Sequence, residues 1–212
     1  MTALSLTSSL KDDILVVGLA HSPSQRKGGK PILVIESGDL LLDAKGLEEI
    51  LGDMGATGKA DEVIKVAGIS TRLIVFTGLG KVSSSYDSEV LRRAAGAAAR
   101  SLSGHASATF ALPAKDLRSL TAIAEGAGLG SYLFDSFRGA TKDAQKTPLK
   151  NITLFSLLAA TPAAKEAARS AEVIATYTNL VRDLINTPPS HLTPDSFCTA
   201  INDAVKAAGG AS

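Results

Sequence analysis

The chain has no tryptophan, one cysteine, and aromatic rings limited to six Phe and three Tyr among 212 residues. With Cys198 as the only thiol, neither an internal disulfide framework nor a cysteine-built zinc site can form, which fits a reducing compartment. Charge of either sign is not in excess: Lys+Arg 22 stand against Asp+Glu 21, so bulk electrostatics point neither to nucleic acid nor to an acidic-substrate cleft. No apolar run reaches the roughly 18 residues a membrane helix needs. Residues 1–10 are rich in Ser and Thr and lack a basic region followed by an apolar one, so no secretory leader is read there. A cytoplasmic protein with no membrane and no nucleic-acid partner is the expectation.

Signatures of chemistry are missing as well. His21, His105 and His191 are scattered over loops without an i, i+4 partner, so no helical metal-ligand pair is present. There is no Gly-x-Ser-x-Gly elbow, and Ser83-Ser84-Ser85 reads as a solvated turn. Gly52, Gly55 and Gly58 before Lys59 lack the spacing of a phosphate loop and read as a mobile loop. Gly78-Leu79-Gly80 lacks the third glycine of a dinucleotide fingerprint and reads as a tight turn between strand and helix. His21–Gly29 is a polar, glycine-ending loop, solvated or, as the sharper reading, a basic loop for phosphate.

What is present is an alternation of apolar runs and amphipathic stretches. Asp12–Leu19, Lys30–Glu36, Thr71–Gly80, Ser107–Pro113 and Lys150–Leu157 are short, rich in β-branched residues and bounded by polar or glycine segments, which predicts buried strands. Between them, helices are predicted at Leu47–Leu51, Ser88–Leu102 and Leu117–Phe137. In the second, Leu91, Ala94, Ala95, Ala98 and Leu102 share one face while Arg92, Arg93 and Arg100 lie away from it. Gly126, Gly128 and Gly130 sit inside the third, each costing about 1 kcal/mol relative to alanine, so they must serve close packing or an interruption. The pattern is an α/β fold with a parallel or mixed sheet covered on both faces.

From Pro162 to Ile185 one long helical pattern follows, with Val173, Tyr177, Leu180 and Leu184 along a stripe. Roughly twenty-four residues span about 36 Å, more than a crossover inside a compact domain requires. Asn186 and Thr187 stand before Pro188-Pro189, which pushes the backbone out of the helical region. Thr193-Pro194-Asp195 then supplies an N-cap, a proline at the first helical position and an acid for the helix dipole. This is a stiff joint between two helices. Arg182 and Asp183, adjacent and divergent on the helix, are assigned a structural role there.

The segment from Arg182 to Phe197, Arg-Asp-Leu-Ile-Asn-Thr-Pro-Pro-Ser-His-Leu-Thr-Pro-Asp-Ser-Phe, closely resembles the passage of M17 leucyl aminopeptidases that leads from the N-terminal to the catalytic domain. Glu125–Phe137 resembles a second passage of that family's N-terminal domain. The resemblance implies a macro-domain-like sheet at 1–160, an interdomain helix and Pro-Pro joint at 161–189, and the start of a catalytic domain at 190–212. For the full-length parent it implies a metalloprotease that removes N-terminal residues from peptides with two divalent ions, zinc or manganese, in hexamers. The family's metal motifs, Lys-Gly-Ile-x-x-Asp-(Ser/Thr)-Gly-Gly and Asn-Thr-Asp-Ala-Glu-Gly-Arg, do not occur before Ser212. The expectation is therefore a piece of the parent that carries no catalytic, cofactor-binding or metal residue and is inactive alone. Leu192, Phe197, Ile201 and Val205 would await a core supplied from elsewhere. The competing expectations are a nucleotide or ADP-ribose module using Gly78–Gly80, and a purely structural oligomerisation domain.

Overall fold

Strand β2 (Ile14–Ser22) lies at the centre of a seven-stranded sheet. Its side chains alternate as a pleat requires: Ile14, Val16 and Ala20 enter one core, Leu15, Val17 and Leu19 the other. Because both faces are covered, the strand reads in sequence as a continuous apolar run. The computed structural model describes residues 2–10, 12–24, 31–42, 46–68, 71–139, 141 and 144–209.

The remaining strands are β1 (Ala3–Thr7), β3 (Ile32–Glu36), β4 (Val63–Ala67), β5 (Leu73–Lys81), β6 (Ser107–Ala111) and β7 (Asn151–Phe155). The order is β1-β7-β6-β2-β5-β4, parallel from β1 to β5, with β4 antiparallel at the edge. One side of β2 is shared by two partners. Leu15–Val17 pair with β6, and Gly18–Ser22 pair with β3 in an antiparallel hairpin. The sheet is mixed and helices lie on both faces, as expected. Helices α2 (Ser88–Ser101), α3 (Leu117–Gly130) and α4 (Pro162–Asn186) cover one face, and the short α1 (Leu47–Asp53) with its flanking chain covers the other.

Each long helix starts on a side-chain cap. Asp87 accepts from the Glu89 N–H at 2.8 Å, Asp116 from Ser119 at 2.7 Å and Thr161 from Ala164 at 3.2 Å. Each such cap is worth about 1 kcal/mol. The glycines of α3 serve close packing. A Cβ at Gly126 would collide with the Arg92 carbonyl of α2, and one at Gly130 with the Gly96 backbone. Gly128 lies under the Ala175 methyl of α4.

Several expectations are corrected. The helix from Leu117 ends at Gly130, not near Phe137; Ser131 leaves helical geometry and residues 132–137 run on as irregular chain. Strands β1 and β4 escaped the reading, because Ala3–Thr7 and Val63–Ala67 are half-exposed edge strands with mixed polar content. Gly78-Leu79-Gly80 is no turn but lies within β5, at a bulge opposite Leu19 and Ala20. The buried stripe of α4 is Ala164, Ala168, Ala171 and Ala175, whereas Val173 and Tyr177 of the expected stripe are 49% and 38% exposed. Residues 25–29 of the polar loop, residue 30 at the start of the expected strand after it, and residues 142–143 of the loop before β7 lie outside the described residues.

Candidate functional site

The joint is built as its residues dictate. Helix α4 closes at Asn186, and Thr187 turns extended with φ −74° and ψ 126° while its hydroxyl donates to Asp183 O at 2.7 Å. Pro188 O then accepts the N–H groups of His191 and Leu192 at 2.9 and 3.0 Å. Helix α5 (Pro194–Ala207) opens on Thr193, which accepts from the Ser196 N–H while the Ser196 hydroxyl oxygen accepts from the Thr193 N–H, a reciprocal capping box.

The side chains that hold this joint to the domain come from the stretch after α3. Arg182 stands over the Tyr132 ring at 3.8 Å from its centroid and donates to Leu129 O at 2.9 Å. Tyr132 donates its hydroxyl to Asp183 Oδ1 at 2.9 Å and accepts from Asn186 Nδ2 at 3.0 Å. Arg182 and Asp183 diverge on the helix, yet one takes the face of the tyrosine and the other its hydroxyl. Burial, then the Asp183 carboxylate, hold the Tyr132 hydroxyl above its ordinary range. Beyond it, Phe137 packs on Phe134 at 5.8 Å and edge-on against His191 at 4.8 Å. Tyr132 and Phe137 were not singled out as site residues. Their only sequence signal was the family-like passage 125–137.

The other candidate residues do not converge. His21 donates from Nδ1 to Gly58 O at 3.4 Å, His191 belongs to the joint, and His105 lies in a cationic corner. Among the described residues no group of three or more His, Cys, Asp or Glu could hold a metal ion, so a metal pair does not fit the residues present. Ser83 donates its hydroxyl to Ser85 O at 2.7 Å, a local turn. The glycine loop after α1 is pinned rather than loose. The Glu62 carboxylate accepts the N–H groups of Thr57 at 3.0 Å and Gly58 at 2.6 Å, so these two donors already hold an anion of the chain's own. The Gly78 and Gly80 N–H groups are likewise bound, to Glu62 O and Gly58 O at 2.8 Å each.

What remains open is the far side of the joint. Helix α5 has no buried residue, and Phe197, Ile201 and Val205 are 44%, 37% and 37% exposed. Between α4 and α5 lies a cleft of about 900 Å³ whose walls include Val173, Tyr177, Leu180, Ala200 and Ala204. Sheet, clamp and outgoing helices define a mixed α/β domain whose distinctive surface is a helical joint. Residues 16–141 match the N-terminal domain of the cytosol aminopeptidase family, and the chain belongs to that family. It is 39% identical over 228 residues to a probable cytosol aminopeptidase of Streptomyces avermitilis, covering 99% of this chain and 44% of that protein. The chain thus spans less than half the length of that relative. Its fold is similar to a tomato leucine aminopeptidase variant, with TM-score 0.75 and 20% identity over 98% of this chain and 42% of that one. A bottromycin maturation enzyme in complex with Mn is similar at TM-score 0.64 and 23% identity, over 94% and 37%. No helix among the described residues is long and apolar enough to cross a membrane.

Proposed function

We propose that this chain is the non-catalytic N-terminal part of a cytoplasmic aminopeptidase that removes N-terminal residues from peptides. In this reading 1–160 is a macro-like domain, 161–189 the interdomain helix and Pro-Pro joint, and 190–212 the first helix of a catalytic domain. That domain, and not this chain, would hold two divalent ions, zinc or manganese, which would supply Lewis-acid activation of water for peptide hydrolysis. The whole enzyme would assemble as a hexamer. No catalytic, cofactor or metal residue is assigned in this chain. The observation that carries the reading is the match of residues 16–141 to an N-terminal domain, in a chain covering 44% of a relative named as an aminopeptidase.

The test is hydrolysis of a leucyl anilide with Mn or Zn, for this chain and for the full-length parent. The parent is expected to turn over and to stop with a chelator, and the chain alone to match the metal-only blank. Turnover by the chain alone, or a metal-independent parent, would overturn the reading. The nucleotide or ADP-ribose alternative is disfavoured because the glycine N–H groups it needs are already bound. Heat on titrating ADP-ribose would restore it, and multimers of the chain alone in light scattering would favour the oligomerisation reading.

A further inference from the structure

Helices α4 and α5 leave the joint with apolar rows that mirror one another. On α4, Val181, Tyr177 and Val173 stand eight, twelve and sixteen residues before Pro189; on α5, Phe197, Ile201 and Val205 stand eight, twelve and sixteen residues after it. Four-residue spacing keeps each row on one face of its helix and sets its members about 6 Å apart along the axis. All six side chains are between 37% and 52% exposed. The α4 row is separate from the alanine stripe that this helix buries, and α5 buries no residue.

Both rows are free of charge. By the helical period, their flanking side chains are Ser170, Ile174 and Thr178 on α4, and Cys198, Asn202 and Ala204 on α5. Pressing two such faces together leaves no ion without water. The helices already border one cleft, to which α4 turns Val173 and Tyr177 while α5 turns Ala200, Asp203, Ala204 and Ala207. Ile201 and Val205 follow Ala200 and Ala204 by one position, so a roll of α5 by about 100° brings its apolar row to the cleft and carries Asp203 away from it. Pro188 and Pro189 fix the exit from α4. Ser190, His191 and Leu192 are neither prolines nor residues before one, and they supply the backbone freedom for the roll.

We propose that α5 is a strap that closes on α4 as an antiparallel helical hairpin, with Phe197 against Val181, Ile201 against Tyr177 and Val205 against Val173. Burial of six half-exposed apolar side chains drives the closure. The connection 187–193 has the length of helix–helix links in bundles, so little loop entropy opposes it. Open and closed arrangements interchange, and α5 still exchanges its amides faster than α2. The consequence is regulatory: the α4 row is covered by the chain's own next helix, and anything that docks there must first displace α5.

The test compares two cysteine pairs in this chain, each made with Cys198→Ser and held at low protein concentration. Tyr177→Cys with Ile201→Cys is in register. Tyr177→Cys with Val205→Cys is shifted by about 6 Å, beyond the reach of a disulfide in the closed hairpin. Under a mild oxidant the in-register pair is expected to form its intramolecular disulfide at least about tenfold faster than the shifted one. In the chain without substitutions, nuclear Overhauser contacts should join the Phe197 ring to the Val181 methyls. Equal rates for the two pairs would overturn the proposal, as would cross-links that form only between chains, which would give the α4 row to a second copy. Absence of the Phe197–Val181 contact would overturn it as well, and so would an α5 that chemical shifts show not to be helical.

Discussion

Arg182 lies over Tyr132 at 3.8 Å from guanidinium to ring centroid, while the neighbouring Asp183 receives the same tyrosine's hydroxyl hydrogen bond at 2.9 Å. One aromatic residue from the chain after α3 thus locks the last turns of α4. Tyr132→Phe keeps the stacking and removes two hydrogen bonds, which should cost about 1–2 kcal/mol. Arg182→Ala removes the stacking and the bond to Leu129 O, with an expected cost of about 1–3 kcal/mol. Urea unfolding reads the total, and hydrogen exchange at 183–187 should show the loss concentrated at the joint. A uniform loss of protection across the sheet would count against the clamp.

Helix α5 should exchange its amides faster than α2 or α3, since it buries no residue while each of those helices buries a continuous face. Hydrogen exchange on this chain at low concentration checks this. Protection of 197–205 equal to α2 in a proven monomer would refute it.

Glu62→Gln is expected to destabilise the protein by about 1–3 kcal/mol. The amide cannot reproduce the charge-assisted bonds that the carboxylate accepts from Thr57 and Gly58. The Gly58 amide proton resonance should move upfield as its bond lengthens, and an unchanged resonance with unchanged stability would show the contact to be idle.

Two glycine substitutions should have opposite signs. Gly126→Ala forces a methyl group into the Arg92 carbonyl, backbone against backbone, and should cost about 3 kcal/mol or more. Gly52→Ala, on an exposed turn of α1 with nothing near its Cβ position, should gain about 0.5–1 kcal/mol. Thermal midpoints of the two variants decide this directly.

Tyr86 sets an alkaline limit. Burial, then the Glu36 carboxylate to which it donates at 3.1 Å, push its hydroxyl up to about 12. Above the ordinary value of about 10 the unfolded chain loses this proton while the folded one keeps it, so stability falls as pH rises from there towards 12. Tyr86→Phe should flatten that part of the stability profile relative to wild type. Parallel profiles of the two proteins would refute the assignment.

Much of the fold was legible because its signals are local. The strands at Ile14–Ser22 and Leu73–Lys81 announce themselves as apolar runs, α2 by its alanine face, and the joint by Pro188, Pro189, Thr193 and Pro194. Edge strands β1 and β4 were invisible because half their side chains meet water and leave no unbroken apolar run. The glycines of α3 declared that something must come close, but not that it was the Arg92 and Gly96 backbone.

The sequence by itself determined where helix α4 stops and α5 starts, since proline geometry and a threonine cap act within a few residues. Only the tertiary structure decided that Tyr132 would clamp Arg182 and Asp183, and that Gly126 and Gly130 of α3 would meet the Arg92 and Gly96 backbone of α2. The Tyr132–Asp183 pair lies 51 residues apart in sequence, and chain packing, not local preference, brings it together.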